Sequence, residues 1–447
     1  MDGFLKIQLS DHFTTGRLLR FALPSIVMMI FTSFYGVVDG IFVSNFTGST
    51  AFASLNLVWP YIMILGGVGF ILGVGGTALV SYQMGTGDRK LANRTFSLIV
   101  YTAIAVGLLL TLVGELTLTP VCRLMGASEA MLPHCLAYGR VMLLGIIPFT
   151  LQNMFQSFLV AAEKPRLGLW VTVAAGITNM VLDYLFMGPF HWGVVGAAWA
   201  TTLSECVGGL IPLLYFCFPN SSLYRLGKTR WDGAALRQTC WNGLSEFVTN
   251  ISMSLVNMLY NLQLMKYIGE DGVAAYGVIQ YVAFFFVAIY IGYSMGTAPI
   301  VSFHYGAENY DELKNLFRKG MGFIAVAALC MITLSQTLAN VVAGIFVGYD
   351  AELTALTAHA FRIYSLAFLM SGFNIYGSDF FTALNNGKIS AAISFIRTIL
   401  LEMSAVMLLP LACGVDGVWI ALPIAEALAL IVTVQFLIRK RHMHHYA

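Results

Sequence analysis

The sequence predicts an all-α polytopic membrane protein: twelve transmembrane helices in two six-helix lobes related by a pseudo-two-fold axis along the membrane normal. Three observations carry this. Of 447 residues 58% are hydrophobic and only 10% charged, where a soluble domain needs about 25% charged residues to wet its surface. Apolar runs of the length that crosses hydrocarbon, about 20 residues each, recur along the whole chain. The second half repeats the first at an offset near 221 residues.

The apolar runs lie between polar punctuation near 18–43, 52–83, 94–119, 134–161, 167–188, 194–217, 238–264, 273–304, 316–341, 355–384, 389–411 and 417–438. Their connections are too short for a soluble domain. The longest polar stretch, Pro219 to Gln238, is basic and reads as a cytoplasmic linker at 219–237. It divides an N-terminal lobe, 1–218, from a C-terminal lobe, 238–447. Because Met1 to Arg20 is polar and the first run is full-length, that run reads as a retained span and not a cleaved signal.

Lysine and arginine accumulate on the cytoplasmic side of membrane proteins and so set the orientation. With both termini inside, the outer side holds only Arg123, Arg140, Lys266 and Arg362 of the 24 basic residues. The rest, from Lys6 to Arg441 and with Lys388 and Arg397 among them, fall inside. An even number of spans with both ends cytoplasmic follows.

The repeat is visible as ordered matches. Gly48 to Ala53 falls on Gly269 to Ala274, and Gly76-Thr77-Ala78 on Gly296-Thr297-Ala298. Ser81-Tyr82-Gln83-Met84-Gly85 falls on Ser302-Phe303-His304-Tyr305-Gly306, and Gly193, Gly196 and Glu205 fall on Gly414, Gly417 and Glu426. Six spans per repeat insert both halves the same way up. A substrate path between such halves is the usual consequence, by alternating access.

Carboxylates inside a membrane are costly and mark function or pairing. The candidates are Asp39, Glu115, Asp183, Glu205, Glu246, Asp379, Glu402 and Glu426. At 1.5 Å of rise per residue, Asp39 lies about 30 Å and Asp183 about 27 Å from the inner edges of their spans. Both belong to the outer half of the first lobe. Tyr35 and Asp39 share a helix face by their i, i+4 spacing, as do Asn179 and Asp183. Two carboxylates at one depth, each with a polar neighbour, suggest a proton or sodium site. Pro24, below Asp39, removes a backbone hydrogen bond and marks a possible hinge. The equivalence of Glu205 and Glu426 suggests a structural role in both lobes, while Glu246 and Asp379 are left open as vestibule residues.

Other classes fit poorly. A formal charge of +2 offers nucleic acid no electrostatic footprint. The seven cysteines are single and scattered, without CxxC, and propose neither a metal site nor a disulfide framework. The His442, His444, His445 tail reads as a solvated end. Gly292-Tyr293-Ser294-Met295-Gly296 fits a nucleophile-elbow pattern but lies mid-span, where small residues serve helix packing. Gly85-Thr86-Gly87-Asp88 and Tyr349-Asp350 resemble an intramembrane protease pair, yet fall in loops on opposite sides of the membrane. No enzyme is expected.

Four features together resemble one family, multidrug and toxic compound extrusion (MATE) transporters, most closely its bacterial MepA-like branch. They are Pro24 followed by Asp39, Asn179-x-x-x-Asp183, the run Gly193-x-x-Gly196-Ala197-Ala198-x-Ala200-Thr201, and Ser245-Glu246-Phe247 through Tyr276-Gly277. The resemblance covers essentially the whole chain. It implies a V-shaped pair of lobes in the bacterial cytoplasmic membrane, exporting lipophilic cationic small molecules in exchange for protons or sodium. Its cation site would be Tyr35, Asp39, Asn153, Asn179, Asp183 and Thr201, with Gln152 and Gln156 competing for the place of Asn153, and Pro24 as hinge. Where some relatives carry a glutamate deeper in span 7, this sequence has Ser252 and Met253, which favours protons. No cofactor beyond the coupling ion is implied; membrane lipid is the surrounding partner, and a monomer is expected. The alternative is a lipid-linked oligosaccharide flippase of the same superfamily, against which the near absence of intramembrane Lys and Arg argues.

Overall fold

A membrane interior offers no water to unpaired backbone groups, so a spanning chain must satisfy them within each segment. The computed structural model describes residues 7–47 and 49–447, and among them the chain forms helices and no strand. Lys6 and Gly48, used above for orientation and repeat, lie outside the described residues. The first six segments are α1 (Thr15–Phe46), the interrupted α2 (Ser49–Gly66), α3 (Val68–Phe70) and α4 (Gly76–Gly85), then α5 (Arg89–Leu124), the pair α6 (Leu132–Leu144) and α7 (Ile146–Ala161), α8 (Pro165–Met187) and α9 (Gly193–Cys217). The second six are α10 (Gly233–Tyr267), α11 (Glu270–Gly306), α12 (Tyr310–Val347), the pair α13 (Ala351–Tyr364) and α14 (Phe368–Ala383), the pair α15 (Gly387–Phe395) and α16 (Met403–Cys413), and α17 (Val415–His444). This is the two-lobed, twelve-segment architecture, and the protein is a multi-pass membrane protein.

Ten segments are long and apolar enough to cross a membrane, and α6 with α7, bent by 54°, makes an eleventh. The twelfth, α10, is more polar because that face meets protein. Asn242 donates to Asn385 Oδ1 at 2.7 Å, and Asn257 accepts from Tyr276 at 2.9 Å. The bend between α6 and α7 falls at Gly145, and the second half breaks at the equivalent place with a 3-10 turn at Ser365–Ala367.

Helix starts explain the protease-like aspartates. Asp88 caps α5 by accepting from the Leu91 amide, and Asp350 caps α13 by accepting from Glu352 and Leu353. Such caps are worth about 1 kcal/mol each and need no catalytic explanation. Ser294 is buried inside α11, whose Gly292 and Gly296 lie against Ile26 and Ala22 of α1.

Those glycines belong to a set that joins the halves. A Cβ added at Gly85 would strike the Phe303 carbonyl, and one at Gly306 would strike the Tyr82 carbonyl. Both pairs are related by the 221-residue offset, so the contact is the same patch meeting itself about the pseudo-two-fold. Gly75 lies on Thr239, and Gly243 on the Ile71 carbonyl, bringing the α2–α4 segment to α10 as α11 comes to α1. The described chain ends sit on this same side. Phe13 donates its amide to Glu312 at 2.9 Å, and His444 meets the Tyr305 hydroxyl at 2.9 Å. Farther along α1, Gly36 and Gly40 have nothing within 4 Å of an added Cβ.

The histidine tail departs from expectation. His444 is buried, also meets Asn386 at 3.2 Å, and the fully buried Tyr446 donates to the Leu437 carbonyl at 2.6 Å. Aromatic partners hold it there: Phe317 and Phe380 both lie against the Tyr446 ring. The linker runs as non-helical chain from 218 to 232, and its Tyr224 is buried against Phe96 and Phe158 of the first half. By contrast Leu9, Phe13, Leu18, Phe21, Ala22 and Ile26 share a core with the second half.

These contacts predict that Gly75→Val, which drives a branched side chain into the Thr239 backbone, costs about 1–3 kcal/mol by overpacking. Thermal unfolding in detergent will show a lowered midpoint. Gly36→Ala meets empty space and gains helix propensity, so its midpoint will hold or rise.

Candidate functional site

Asp39 of α1 and Asp183 of α8 come together in the first half. Helices α1 and α8 pack against each other, and the two carboxyl groups are neighbours across that contact. Asp183 is fully buried and neither of its oxygens has a donor; Asp39 Oδ1 has none either. Asn179, one turn earlier on α8, is buried with Oδ1 unpartnered.

Tyr35 stands one turn before Asp39, its ring and that of Phe31 against Gly176, with Gln152 of α7 near its hydroxyl. Glycine at 176 leaves the room those rings occupy. On α7, then, the contact with Tyr35 comes from Gln152. Asn153 turns its amide onto the Phe149 carbonyl of its own helix at 2.9 Å. Thr201 is half-buried on α9, one turn before Glu205.

Glu205 differs from Glu426 in its surroundings. It is buried, its Oε2 has no partner, and it faces Tyr35 and Tyr138. The bend at Gly145 admits it: a Cβ there would lie 3.0 Å from Glu205 Oε2. Glu426 is instead saturated. Arg397 donates to it through Nε at 2.9 Å and Nη2 at 2.7 Å, and Asn374 adds a third bond at 2.7 Å. At the 221-residue offset Arg397 takes the place of Gly176, so the same glutamate is neutralised in one half and bare in the other.

Arg397 is therefore a correction. Counted above as a cytoplasmic residue, it lies inside a span, in a π-helical turn at Ile396–Glu402 that continues α15 into α16. A bidentate pairing with Glu426 removes the desolvation cost that excludes an isolated arginine from such a place. Tyr138, buried beside Asp39, Asp183 and Glu205, was outside sequence reasoning, since no spacing ties it to them. Of the remaining acids, Glu246, Asp379 and Glu402 line a cavity in the second half. Glu115 is half-buried on α5.

The first-half cluster thus gathers three carboxyl groups, two tyrosines and two amides, and no salt bridge among the described residues reaches it. Such a site, rich in carboxyl groups and without a lysine or arginine among the residues named, suits a proton or a cation better than an anion. Comparison with known proteins agrees with a two-lobed carrier. Residues 24–185 and 247–407 each match the MatE family model, one match per half, and the chain belongs to the MatE family. It is 22% identical over 428 residues to the multidrug export protein MepA of Staphylococcus saprophyticus, covering 95% of this chain and 94% of that one. The MepA of Staphylococcus haemolyticus is likewise 22% identical, over 92% of this chain and 90% of its own. Among solved structures, a multidrug resistance MATE family transporter in an outward-facing conformation superposes with a TM-score of 0.92 at 21% identity, covering 99% of each chain. A MATE structure in a straight conformation gives 0.91 and one in a bent conformation 0.88, each at 21% identity and covering 98% and 97% of both chains.

The contrast between the two glutamates is open to measurement. Arg397→Met leaves Glu426 buried without its cation and costs about 3–5 kcal/mol. Adding Glu426→Gln to that variant recovers most of the loss in thermal unfolding. Glu205→Gln, which breaks no ion pair, leaves the midpoint unchanged or raised.

Proposed function

We propose that the protein is a secondary active multidrug exporter that moves amphipathic organic cations outward by alternating access, in exchange for protons. It works as a monomer in the bacterial cytoplasmic membrane with both ends in the cytoplasm. The observation that carries this is the neighbouring pair Asp39 and Asp183, Asp183 fully buried with neither oxygen partnered and Asp39 half-buried with its Oδ1 unpartnered. The names of the relatives support export of drugs; the carboxyl pair supports a titrating device beneath it.

The cycle follows from charge and room. The halves close through glycine contacts on the side of the chain ends, which leaves the route to the opposite side as the open one. With the pair unprotonated, the first-half cluster is an anionic, partly aromatic surface that attracts a lipophilic cation without a fixed hydrogen-bond pattern. A proton arriving from outside bridges Asp39 and Asp183 and cancels that attraction. Drawing the two carboxyls together pulls α1 toward α8. The outer part of α1 is free to follow, since Gly36 and Gly40 meet nothing, and Pro24 lacks the amide that would stiffen the helix below. Sodium is the less favoured ion: Ser252 spends its hydroxyl on the Val248 carbonyl of its own helix, and Met253 beside it offers no hard oxygen. A flippase of anionic lipid-linked sugars would need cationic groups in its path, and Arg397 is already neutralised by Glu426.

In proteoliposomes, an imposed pH gradient should drive uptake of a fluorescent lipophilic cation and a sodium gradient alone should not. Asp183→Asn and Asp39→Asn should each lower the initial rate at least about tenfold, the loss typical of a proton-transfer group. Gln152→Ala should cost more than Asn153→Ala. Transport driven by sodium alone would keep the exporter and overturn the ion; no transport under either gradient by folded protein would overturn the exporter.

A further inference from the structure

The seven cysteines are scattered in the sequence, but the fold brings two of them together. Cys122 near the end of α5 and Cys135 near the start of α6 are 2% and 0% exposed, inside one apolar cluster of the first half. Helices α5 and α6 are antiparallel neighbours, and two glycines set the register of their contact. A Cβ added at Gly114 would strike the Leu143 side chain, and one at Gly139 would lie 2.8 Å from that of Leu118. From the first contact to the second, each helix advances by one turn in opposite directions. The next turn in the same register sets Cys122 opposite Cys135. Their thiols are neighbours across the contact.

The turn between them is closed by the backbone. Gly126 takes a φ of +92°, which favours glycine, and Ala127 donates its amide to the Cys122 carbonyl at 3.0 Å. The Cys135 thiol, a weak donor, lies 3.8 Å from the Ser54 carbonyl. At the repeat offset the second half carries Ala343 and Thr357, both buried, so the thiol pair belongs to the first half alone. A single buried cysteine packs as a small apolar side chain. Two in register across a helix pair can form a bond.

We infer that Cys122 and Cys135 are joined by a disulfide in the membrane-inserted protein, the structure holding the reduced form of the pair. This rests on the orientation proposed above, which places the α5–α6 turn outside. From Arg89 to Cys122 the helix climbs about 50 Å. A hydrocarbon core is about 30 Å thick, so the pair lies at the outer end, where disulfides persist. Because both thiols are buried once α6 has packed on α5, oxidation accompanies folding of this hairpin. Each thiol gives up one electron and its proton, and the sulfur–sulfur bond forms. Both electrons and both protons pass to a disulfide-bearing oxidant outside the membrane, which becomes a dithiol. Burial then shields the bond from soluble reductants. It ties α6 to α5 three residues before Tyr138, which stands beside Asp39, Asp183 and Glu205.

Mass spectrometry of the full-length protein tests this. Membranes are dissolved in denaturant with N-ethylmaleimide and no reductant, then digested with trypsin, which cuts between the two cysteines at Arg123. Peptides 95–123 and 124–140 should be recovered joined and should separate on reduction, while the cysteines of α9, α10, α12 and α16 carry maleimide. Reductant present during thermal unfolding should lower the wild-type midpoint and leave that of Cys122→Ala/Cys135→Ala unmoved, since a closed loop restrains the unfolded chain. Orientation is read separately. In that double variant, Met125→Cys should be modified by a membrane-impermeant maleimide added to intact cells. Maleimide on both Cys122 and Cys135 in wild type, beside a modified Met125→Cys, overturns the disulfide. An unmodified Met125→Cys overturns the orientation and the disulfide with it. Neither readout depends on drug transport, so failure of the exporter reading would leave these results intact.

Discussion

The rest of this molecule depends on how closely two main chains can approach inside a membrane. Between helices in lipid there is no hydrophobic driving force, so association comes from close packing, and close packing needs small residues. Here Gly85 and Gly306 set each half's backbone on the other's at equivalent positions, and Gly75, Gly243, Gly292 and Gly296 extend that contact along two crossed helix pairs. Because the contact is built of glycines on one side only, the halves can seal there and separate on the other. The glycine contacts themselves involve no ion pair among the described residues; the chain end beside them adds one, His12 with Glu312. A contact of that kind can be released and remade on the opposite side at small cost, which a bolted ion-pair gate would not permit.

Behind that seal the two halves are the same fold with opposite interiors. Each carries a glutamate at the equivalent place on its sixth segment, Glu205 and Glu426. In the second half an arginine stands where the first has Gly176, and the glutamate becomes half of a closed, bidentate pair. In the first half the glycine admits the Phe31 and Tyr35 rings, and the glutamate is left near two tyrosines, Tyr35 and Tyr138. One substitution at one position of the repeat therefore decides which interior is electrostatically settled at the glutamate and which must be settled by an arriving charge. Asymmetry of this sort is what a carrier needs if one half is to change shape with protonation while the other keeps its form.

Much of this was readable before any coordinates. Span number, repeat and the pairing of Asp39 with Asp183 follow from run length, offset and depth, because lipid punishes every exception to them. Arg397 was misplaced because a lone basic residue ten positions after Lys388 looks like a loop edge; only its distant partner, Glu426, makes mid-span tolerable. The different surroundings of Glu205 and Glu426 escaped because a repeat match does not show the missing arginine. The π-helical turns at Ile71–Gly75 and Ile396–Glu402 leave no mark in a 3.6-residue pattern, since they are chosen by tertiary contacts. Gln152 and Asn153 are adjacent and chemically alike, and which of them faces Tyr35 is a matter of helix rotation that spacing does not fix. The buried tail, with His444 and Tyr446 inside, escaped because three histidines in a basic end resemble a solvated tag, while the pocket that takes them is made of distant residues such as Tyr305 and Phe317.

Arg397 and Glu205 escaped for one physical cause. A charge in a membrane is read correctly only together with its counter-charge, and counter-charges in a repeat protein are contributed by different segments of the same half: α15–α16 to α17 in one, none in the other. Where the partner exists, the interior charge is structural and the helix carrying it can be distorted, as the π-helical turn around Arg397 is, because the ion pair and its hydrogen bonds hold the distortion in place. Where it does not, the helix stays regular, as α8 does through Asp183, and the missing charge becomes the variable on which conformation depends.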